Sequence, residues 1–368
     1  MREAERVTGL RGEAALKALV DEVEAMSVRF TRERPEVFEE YTETPLSCAG
    51  YGVYFFPQTF ARMWHVLEMW RGKKGILPQS PLEVLDVGSG TGAAGMAVAR
   101  WGALHGIETK VTAMDRSALA VETGRRLFGA CRELWPKAEW KGIVGDLTDE
   151  RRVEVSLRKW DLMVCSFVLN ELGDEKEKLA VMRRMLEWVK DGGALIILEP
   201  AGEKSSGDVM ALRDVLAGEG MNVVAPCLHQ RACPMRTASS GFCHDVRRWR
   251  VPDSLEFVNR GLQRTLWDVK VSYLIVESGK WKMESVASPA SSLLFRVVSP
   301  VTRTKAHMVT RGCCEDGTLR EVELQCRGLT KEALREFDEW ERGDLARMQV
   351  ERLLGDGRTW RVAKMEKK

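Results

Sequence analysis

The stretch Leu82-Glu83-Val84-Leu85-Asp86-Val87-Gly88-Ser89-Gly90-Thr91-Gly92 decides the fold. Its first six residues form an apolar run interrupted only by acids, the pattern of a strand covered on both faces of a parallel sheet. The glycines that follow let the backbone turn sharply and approach a ligand closely. The helix that begins at Ala93 presents free N–H groups at the same place. A glycine-rich run by itself is a weak signal, but this one has context. A second strand, Thr109 to Asp115, ends in an acid about 20 residues beyond the loop, where a carboxylate can accept both hydroxyls of a ribose. A third, over AEWKGIVGD, ends at Asp146, placed to meet an adenine amino group. If Asp86, Asp115 and Asp146 only capped turns, acids at three successive strand ends would be a coincidence.

Outward from this loop, residues 82–200 alternate strand and helix. Helices are predicted over Ala93–Gly106, Ala118–Leu134 and Lys176–Lys190, and further strands over WDLMVCSFVL and GGALIILEP. Unbroken apolar strands between amphipathic helices imply an α/β fold with a parallel sheet. Residues 1–80 read as helical: Ala15, Leu16, Leu19, Val20 and Val23 fall on one stripe, and Pro57 opens a helix carrying Phe60, Trp64 and Leu67. Asp208–Glu219 is a further helix and MNVVAPC a sixth strand. After an irregular stretch from Cys227 to Cys243, WDVKVSYLIVESG and SLLFRVVSPVTRTKAHMVTRGCC return to strand pattern. Thr330–Leu345 reads as a charged helix and Trp360–Lys368 as a basic tail. Three regions follow: 1–80 helical, 81–225 the Rossmann-like domain, and 226–368 a cysteine-rich, β-rich extension.

The 368 residues carry a net charge of only +2, so bulk charge points to neither nucleic acid nor membrane. No apolar run approaches the ~20 residues that span a bilayer. The opening segment mixes acids and bases, unlike a signal or transit peptide. A cytoplasmic, monomeric protein is the expectation, or a mitochondrial one in a eukaryote.

The same loop geometry can serve NAD. An acid ahead of the first glycine is instead similar to the class I S-adenosylmethionine (SAM) methyltransferases, where this pattern meets the methionine part of the cofactor. The resemblance implies a cofactor set of Asp86, Gly88, Ser89, Gly90, Gly92, Asp115, Asp146 and Ser166. Asn170, just past the fourth strand, is placed either to hold an amine for methyl transfer or to cap the next helix. No Asn/Asp-Pro-Pro-aromatic motif is present, and at the fourth strand no Pro-Cys nucleophile for carbon-5 chemistry, Cys165 lying inside the strand, so transfer chemistry has no motif of its own.

Nine cysteines are many for such a chain. Without a secretion signal they are buried hydrophobes or ligands rather than disulfides. Pro226-Cys227-x5-Cys233-Pro234-x8-Cys243-His244 places three soft ligands on one irregular segment, and a fourth can come from Cys313 or Cys314. Four thiolates suit tetrahedral zinc or an iron–sulfur cluster, and neither spacing is the familiar zinc pair. His229 and His244 are substitute ligands.

Taken together, the glycine loop, Val168-Leu169-Asn170-Glu171-Leu172 and the cysteine segment resemble a methyltransferase-like family associated with the small ribosomal subunit. These are the Rsm-type assembly factors of mitochondria and bacteria. The resemblance covers most of residues 40–345, including Tyr51 to Thr59 and Lys305-Ala306-His307-Met308-Val309. It implies a [4Fe–4S] cluster held by Cys227, Cys233, Cys243 and Cys313, with Gly317 four residues past Cys313 as in the family's Cys-x3-Gly pattern. It also implies binding to small-subunit ribosomal RNA and a role in ribosome biogenesis and translation. The arginines Arg236, Arg247, Arg248 and Arg250, with Trp249 and Phe257 among them, suit phosphate contacts and base stacking, and Arg303, Lys305 and Arg311 lie near the late cysteine. The alternative is a solvated, salt-bridged surface. Three functions remain open: an assembly factor, an active ribosomal RNA methyltransferase, and a methyltransferase of proteins or small molecules with structural zinc.

Overall fold

In the computed structural model, residues 1–31, 42, 44–75, 78–147, 155, 157–238, 241–280, 292–356 and 358–368 are described. Contacts divide the chain into two units, Met1–Leu198 with Arg248–Val269, and Glu199–Arg247 with Lys270–Lys368. The expected boundary at 225 therefore falls inside the second unit, and residues 248–269 return to the first.

The first unit opens with helices α1 (Arg2–Thr8), α2 (Gly12–Lys17), α3 (Val20–Thr31) and α4 (Pro45–Lys74). The stripe read from Ala15 to Val23 is shared between α2 and α3. Helix α4 starts twelve residues earlier than Pro57, which lies inside it. Thr44 caps its N-terminus in a capping box with Ser47, and Pro45 occupies the first turn, where its missing N–H costs nothing. Ala15, Leu16, Leu19, Val23 and Met26 pack on Ala49, Val53 and Tyr54 of α4, beside Leu255 and Val258 of the returning segment.

Strands β1 (Leu82–Val87), β2 (Thr109–Asp115), β3 (Ala138–Val144), β4 (Trp160–Ser166) and β5 (Val189–Glu199) run parallel in the order β3-β2-β1-β4-β5. Between them lie α5 (Ala93–Leu104), α6 (Ala118–Ala130) and α7 (Glu175–Glu187). Because β1 is central, with β2 and β4 on its two sides, the carboxyl ends of three strands converge where the order reverses. That is where a doubly wound sheet leaves a crevice. The expected parallel α/β fold is the one observed.

In the second unit, α8 (Glu203–Gly218) precedes β6 (Met221–Ala225), which pairs antiparallel with β8 (Asp268–Lys280), and β8 also pairs with β7 (Asp245–Arg248). The remainder of the unit is a barrel. Strand β9 (Ser292–Val297) pairs with β11 (His307–Cys314), β11 with β12 (Leu319–Gln325), β12 with β14 (Thr359–Lys367), β14 with β13 (Leu345–Leu353), and β13 with β9 again. Only β12 and β14 are parallel, and helix α10 (Lys331–Asp338) joins β12 to β13. A short β10 (Thr302–Arg303) edges β11, and α9 (Asp253–Gly261) belongs to the first unit. Numbered within the barrel, the closed order is 1-2-3-5-4-1 with a helix between strands 3 and 4, the connectivity of the oligonucleotide/oligosaccharide-binding (OB) fold.

Residues 360–368 are thus not a tail but most of the last barrel strand. Its buried Thr359, Val362 and Met365 are three apart, because the β13–β14 register shifts around Val350. That bulge removes the period-two signal, and the lysines between hide what remains. Phe295, Met308, Cys314, Val322, Met348 and Val362 fill the interior, with Phe337 and Trp340 packed on the same core.

Gly312 lies in this core, where a Cβ would stand 2.5 Å from Phe295 Cδ2. We expect Gly312→Ala to lower stability by about 1–3 kcal/mol through overpacking, read from the denaturant midpoint of unfolding.

Candidate functional site: a nucleoside cleft and a thiol cluster

The sheet's central carboxyl ends open into a cleft lined by Gly88, Gly90, Asp115, Asp146, Ser166 and Glu171 among others. Gly88 has φ +63°, and a Cβ there would lie 2.3 Å from Val168 Cγ2, so loop and β4 approach as closely as only glycine permits. Gly90, at φ +53°, has no atom within 4 Å of where its Cβ would be, so the turn keeps that space free. Asp115 braces the loop: its Oδ2 accepts from Gly90 N–H at 2.6 Å and its Oδ1 from Ser117 N–H at 2.9 Å. Ser117 in turn caps α6.

Asp86 does not line the cleft. It is wholly buried behind the loop, where its Oδ2 accepts from Gly95 N–H at 2.8 Å at the start of α5. Burial lifts its pKa from 3.8 to about 7, against the Gly95 hydrogen bond and with help from the charge of Asp115. Its Oδ1, together with Ser89 Oγ, Thr91 Oγ1 and Ser166 Oγ, is buried without a hydrogen-bond partner among the described residues. Four such atoms around one loop require an explanation, since buried polar groups are almost always paired.

Gly92 caps α5 from behind, and neither it nor Ser89 is among the lining residues. Asn170 sits half-buried in a 3-10 turn, Leu169–Glu171, also away from the lining. The following helix is capped not by it but by Asp174, which accepts from Lys176 and Glu177 N–H at 2.9 Å. Its neighbour Glu171 faces the cleft instead, a residue the sequence reading passed over. Desolvation raises its pKa to about 7, with Arg116 opposing, 3.5 Å away, and Asp115 and Asp146 adding to the rise. Phe167, also in the lining, holds φ +63°, a conformation costing roughly 1–3 kcal/mol in a bulky residue and concentrated at functional sites. The Arg62 guanidinium covers its ring at 5.5 Å.

In the second unit a smaller cavity is lined by Met210, Arg213, Cys227, Cys233, Cys243 and Arg296 among others. Cys313 packs on the same cluster, while the adjacent Cys314 points into the barrel core, as the alternating burial of β11 requires. Burial raises the pKa of Cys227, Cys233 and Cys313, Cys233 to about 12, and neighbouring cysteines of the set add to each rise. Two guanidiniums reach the sulfurs: Arg213 Nε donates to Cys227 Sγ at 3.3 Å and Arg296 Nη1 to Cys243 Sγ at 3.1 Å. Both side chains are only 3% exposed. Arg296 also pairs with the fully buried Asp245, and Arg213 donates to Asp214 and to the carbonyls of His229 and Arg231. His229 lies 3.8 Å from Cys313 Sγ, and burial lowers the pKa of both His229 and His244 to about 4. Among the described residues no group of three or more His, Cys, Asp or Glu is arranged to hold a metal ion.

The four predicted RNA arginines divide. Arg248 and Arg250 are exposed in the first unit. In the second, Arg236 pairs with Asp214 at 3.2 Å, and Arg247 is drawn inward. It donates to the carbonyls of Val246 and Arg342 and lies 3.3 Å from Asp344. The salt-bridged alternative therefore describes Arg247, because β7 turns it toward Asp245, Glu341 and Asp344.

A parallel sheet in the order β3-β2-β1-β4-β5, with a glycine loop after the central strand and acids at its carboxyl ends, is the class I methyltransferase fold. The chain belongs to the family described as mitochondrial small ribosomal subunit Rsm22, whose model matches residues 45–366. No curated protein matches it. Among solved structures, the plantazolicin methyltransferase BpumL in complex with SAH is similar over 72% of this chain and 98% of its own, at 10% identity and a TM-score of 0.40. For the N-methyltransferase NodS from Bradyrhizobium japonicum WM9 in complex with S-adenosyl-L-homocysteine, the values are 60%, 87%, 13% and 0.35. For the DszA carbon methyltransferase they are 77%, 70%, 14% and 0.40. Among the described residues no helix is long and apolar enough to cross a membrane.

Two expectations follow. Between about pH 4 and pH 7 the folded chain holds a proton on Asp86 that the unfolded chain releases. Stability must therefore rise as pH falls through that window, and Glu171 acts in the same direction. In Asp86→Asn the pH dependence of the denaturant midpoint should be visibly flatter there; equal slopes would refute the assignment. Separately, Arg296→Met removes the cation in direct contact with the buried Asp245, leaving Arg247 at 3.9 Å, and should cost about 3–5 kcal/mol, with much of the loss recovered in Arg296→Met/Asp245→Leu.

Proposed function

We propose that the chain is a SAM-binding factor of the small ribosomal subunit that engages ribosomal RNA and carries a four-thiolate metal centre. The observation that carries the cofactor reading is the set of orphaned polar atoms around the glycine loop. Ser166 Oγ lies at the cleft wall, and Asp115 and Asp146 line the same cleft, carboxylates able to accept from ribose hydroxyls and an adenine amine. Charge separates SAM from NAD. Asp115, Asp146, Glu171 and Glu177 line the cleft against one arginine, Arg116. A sulfonium and an ammonium are attracted by such walls, whereas a pyrophosphate is repelled. Family membership supports the small-subunit setting.

The thiol cavity fits a metal centre by its chemistry. Four thiolates around a [4Fe–4S] cluster or a zinc ion leave net negative charge, and Arg213 and Arg296 already point cationic donors at two of the sulfurs. Cys227, Cys233, Cys243 and Cys313 would hold the group, which supplies cross-linking of the segment to β11 and, if iron, redox sensitivity. RNA contact falls to exposed cations such as Arg248 and Arg250 rather than to Arg247. Asn170 lies off the cleft lining, which favours a binding role over methyl transfer.

The test is one anaerobic preparation measured in two ways. Visible absorption with iron, zinc and sulfide analysis should give roughly four irons and four sulfides per chain, lost in Cys233→Ser; one zinc and no colour would make the centre structural. Calorimetry should show binding of S-adenosyl-L-homocysteine, weakened at least tenfold in Asp115→Ala through loss of charge-assisted hydrogen bonds of about 1.5–3 kcal/mol each. Absence of binding by the native chain would remove the cofactor reading.

A further inference from the structure

The barrel has a consequence beyond the cleft and the thiols. We propose that its β11–β12 face, with the turns flanking it, is a sequence-tolerant binding site for single-stranded RNA held through its phosphates. The inference rests on the RNA reading above and locates it.

Three observations lead there. The first is topology: in an OB barrel the face of strands 2 and 3, with the loops joining strands 1–2 and 4–5, is where oligonucleotides lie. Here those are β11, β12, residues 298–306 and, between β13 and β14, the described residues 354–356 and 358. The second is which side chains face out. Burial alternates along β11, so Met308, Thr310, Gly312 and Cys314 face the core, leaving His307, Val309, Arg311 and Cys313 on the outer face. On β12 the outward residues are Glu321, Glu323 and Gln325.

The third is charge. Arg303, paired with Asp338 at 2.7 Å, and Lys305 precede β11, Arg311 lies on it, and Arg352 and Arg358 lie at the connection from β13 to β14. The acids of this path are largely engaged. Glu323 pairs with Arg361 on β14. Asp356 closes the turn, accepting from the N–H groups of Arg358 and Thr359 at 2.9 Å and from Thr359 Oγ1 at 2.6 Å. Glu321 stands opposite Arg311. Lys305, Arg352 and Arg358 are exposed and have no ion-pair partner among the described residues. At the other end of the face, Cys313 and Leu319 are covered by the cysteine segment, so the open part of the path is bordered by the thiol site.

The face also sets the mode of recognition. Neither β11 (HMVTRGCC) nor β12 (LREVELQ) carries a Phe, Tyr or Trp. Base stacking, which supplies much of the affinity of many OB folds, is missing from these strands, so phosphate contacts dominate. Affinity should then fall steeply with salt and depend little on sequence.

The experiment uses the full chain and a fluorescent, unstructured RNA of about 12 nucleotides, within the roughly 4–16 that an OB fold covers. The variant Lys305→Glu/Arg352→Glu/Arg358→Glu should bind at least tenfold more weakly. Its plot of log affinity against log salt should lose a slope of about 2, three phosphate contacts at ~0.7 each. Lys17→Glu/Arg29→Glu/Lys176→Glu changes net charge equally on exposed helices and should bind within twofold of wild type. Photo-crosslinking of 4-thiouridine RNA to the unmutated chain should label peptides from β11, β12 or the β13–β14 connection, a readout independent of how the variant folds. Equal loss in both triple variants, or crosslinks confined to other segments, overturns the barrel site while leaving RNA binding intact. A native chain that binds no single-stranded RNA overturns the barrel site and the RNA reading together.

Discussion

A carboxylate removed from water at the end of the central strand governs the first unit. Asp86 is buried completely, and one of its oxygens takes the N–H of Gly95 at the first turn of α5. That bond fixes where the helix begins relative to β1, and with it the path of the loop between. Gly95 has no freedom to change, because a Cβ there would meet Asp86 Oδ2 at 2.9 Å and Val111 at 2.9 Å. Desolvating a carboxylate is costly. Here the cost is offset in part by the Gly95 N–H, and the neighbouring loop N–H groups are likewise satisfied from within, Gly90 by Asp115 and Ser89 by the Met114 carbonyl. The Ser89, Thr91 and Ser166 hydroxyl oxygens have no such partner among the described residues.

The second unit repeats the logic with cations. Arg213 and Arg296 are buried as deeply as any core residue, yet each makes a bond to sulfur in addition to bonds to oxygen. Burial raises the pKa of Cys227, Cys233 and Cys313, while Arg213 beside Cys227 opposes that rise by favouring the charged form. Asp245 then balances Arg296 on its other side, so the ion pair and the thiol site form one connected network rather than separate features.

What could be read from sequence follows from which signals are local. The five parallel strands were legible because burial on both faces writes itself as unbroken apolar runs, and the loop because glycines and strand-end acids keep fixed spacing. Helix α4 was misplaced by giving Pro57 its usual meaning, when the stronger Thr44–Ser47 cap began thirteen residues upstream. The barrel was invisible as a barrel. Its strands are short, β14 is lysine-rich and bulged, and closure depends on pairings such as Ala346 with Phe295 that no local pattern records. Glu171 was overlooked beside Asn170 because adjacent residues in a 3-10 turn point in different directions, and only the fold decides which meets the cleft. Cys313 was preferred over Cys314 only through the resemblance's Cys-x3-Gly spacing, and the inward face of β11 now gives Cys314 to the barrel core.

A net charge of +2 conceals a division of labour. The cleft presents four carboxylates and one arginine, whereas the open barrel path presents cations whose neighbouring acids are already bonded. Under the proposals above, the first would favour a cationic nucleoside and the second a polyanion. A methyl group could reach an RNA base only if that base left its strand and entered acid-lined walls while its phosphates stayed outside, which adds an electrostatic cost to the unstacking such enzymes already bear.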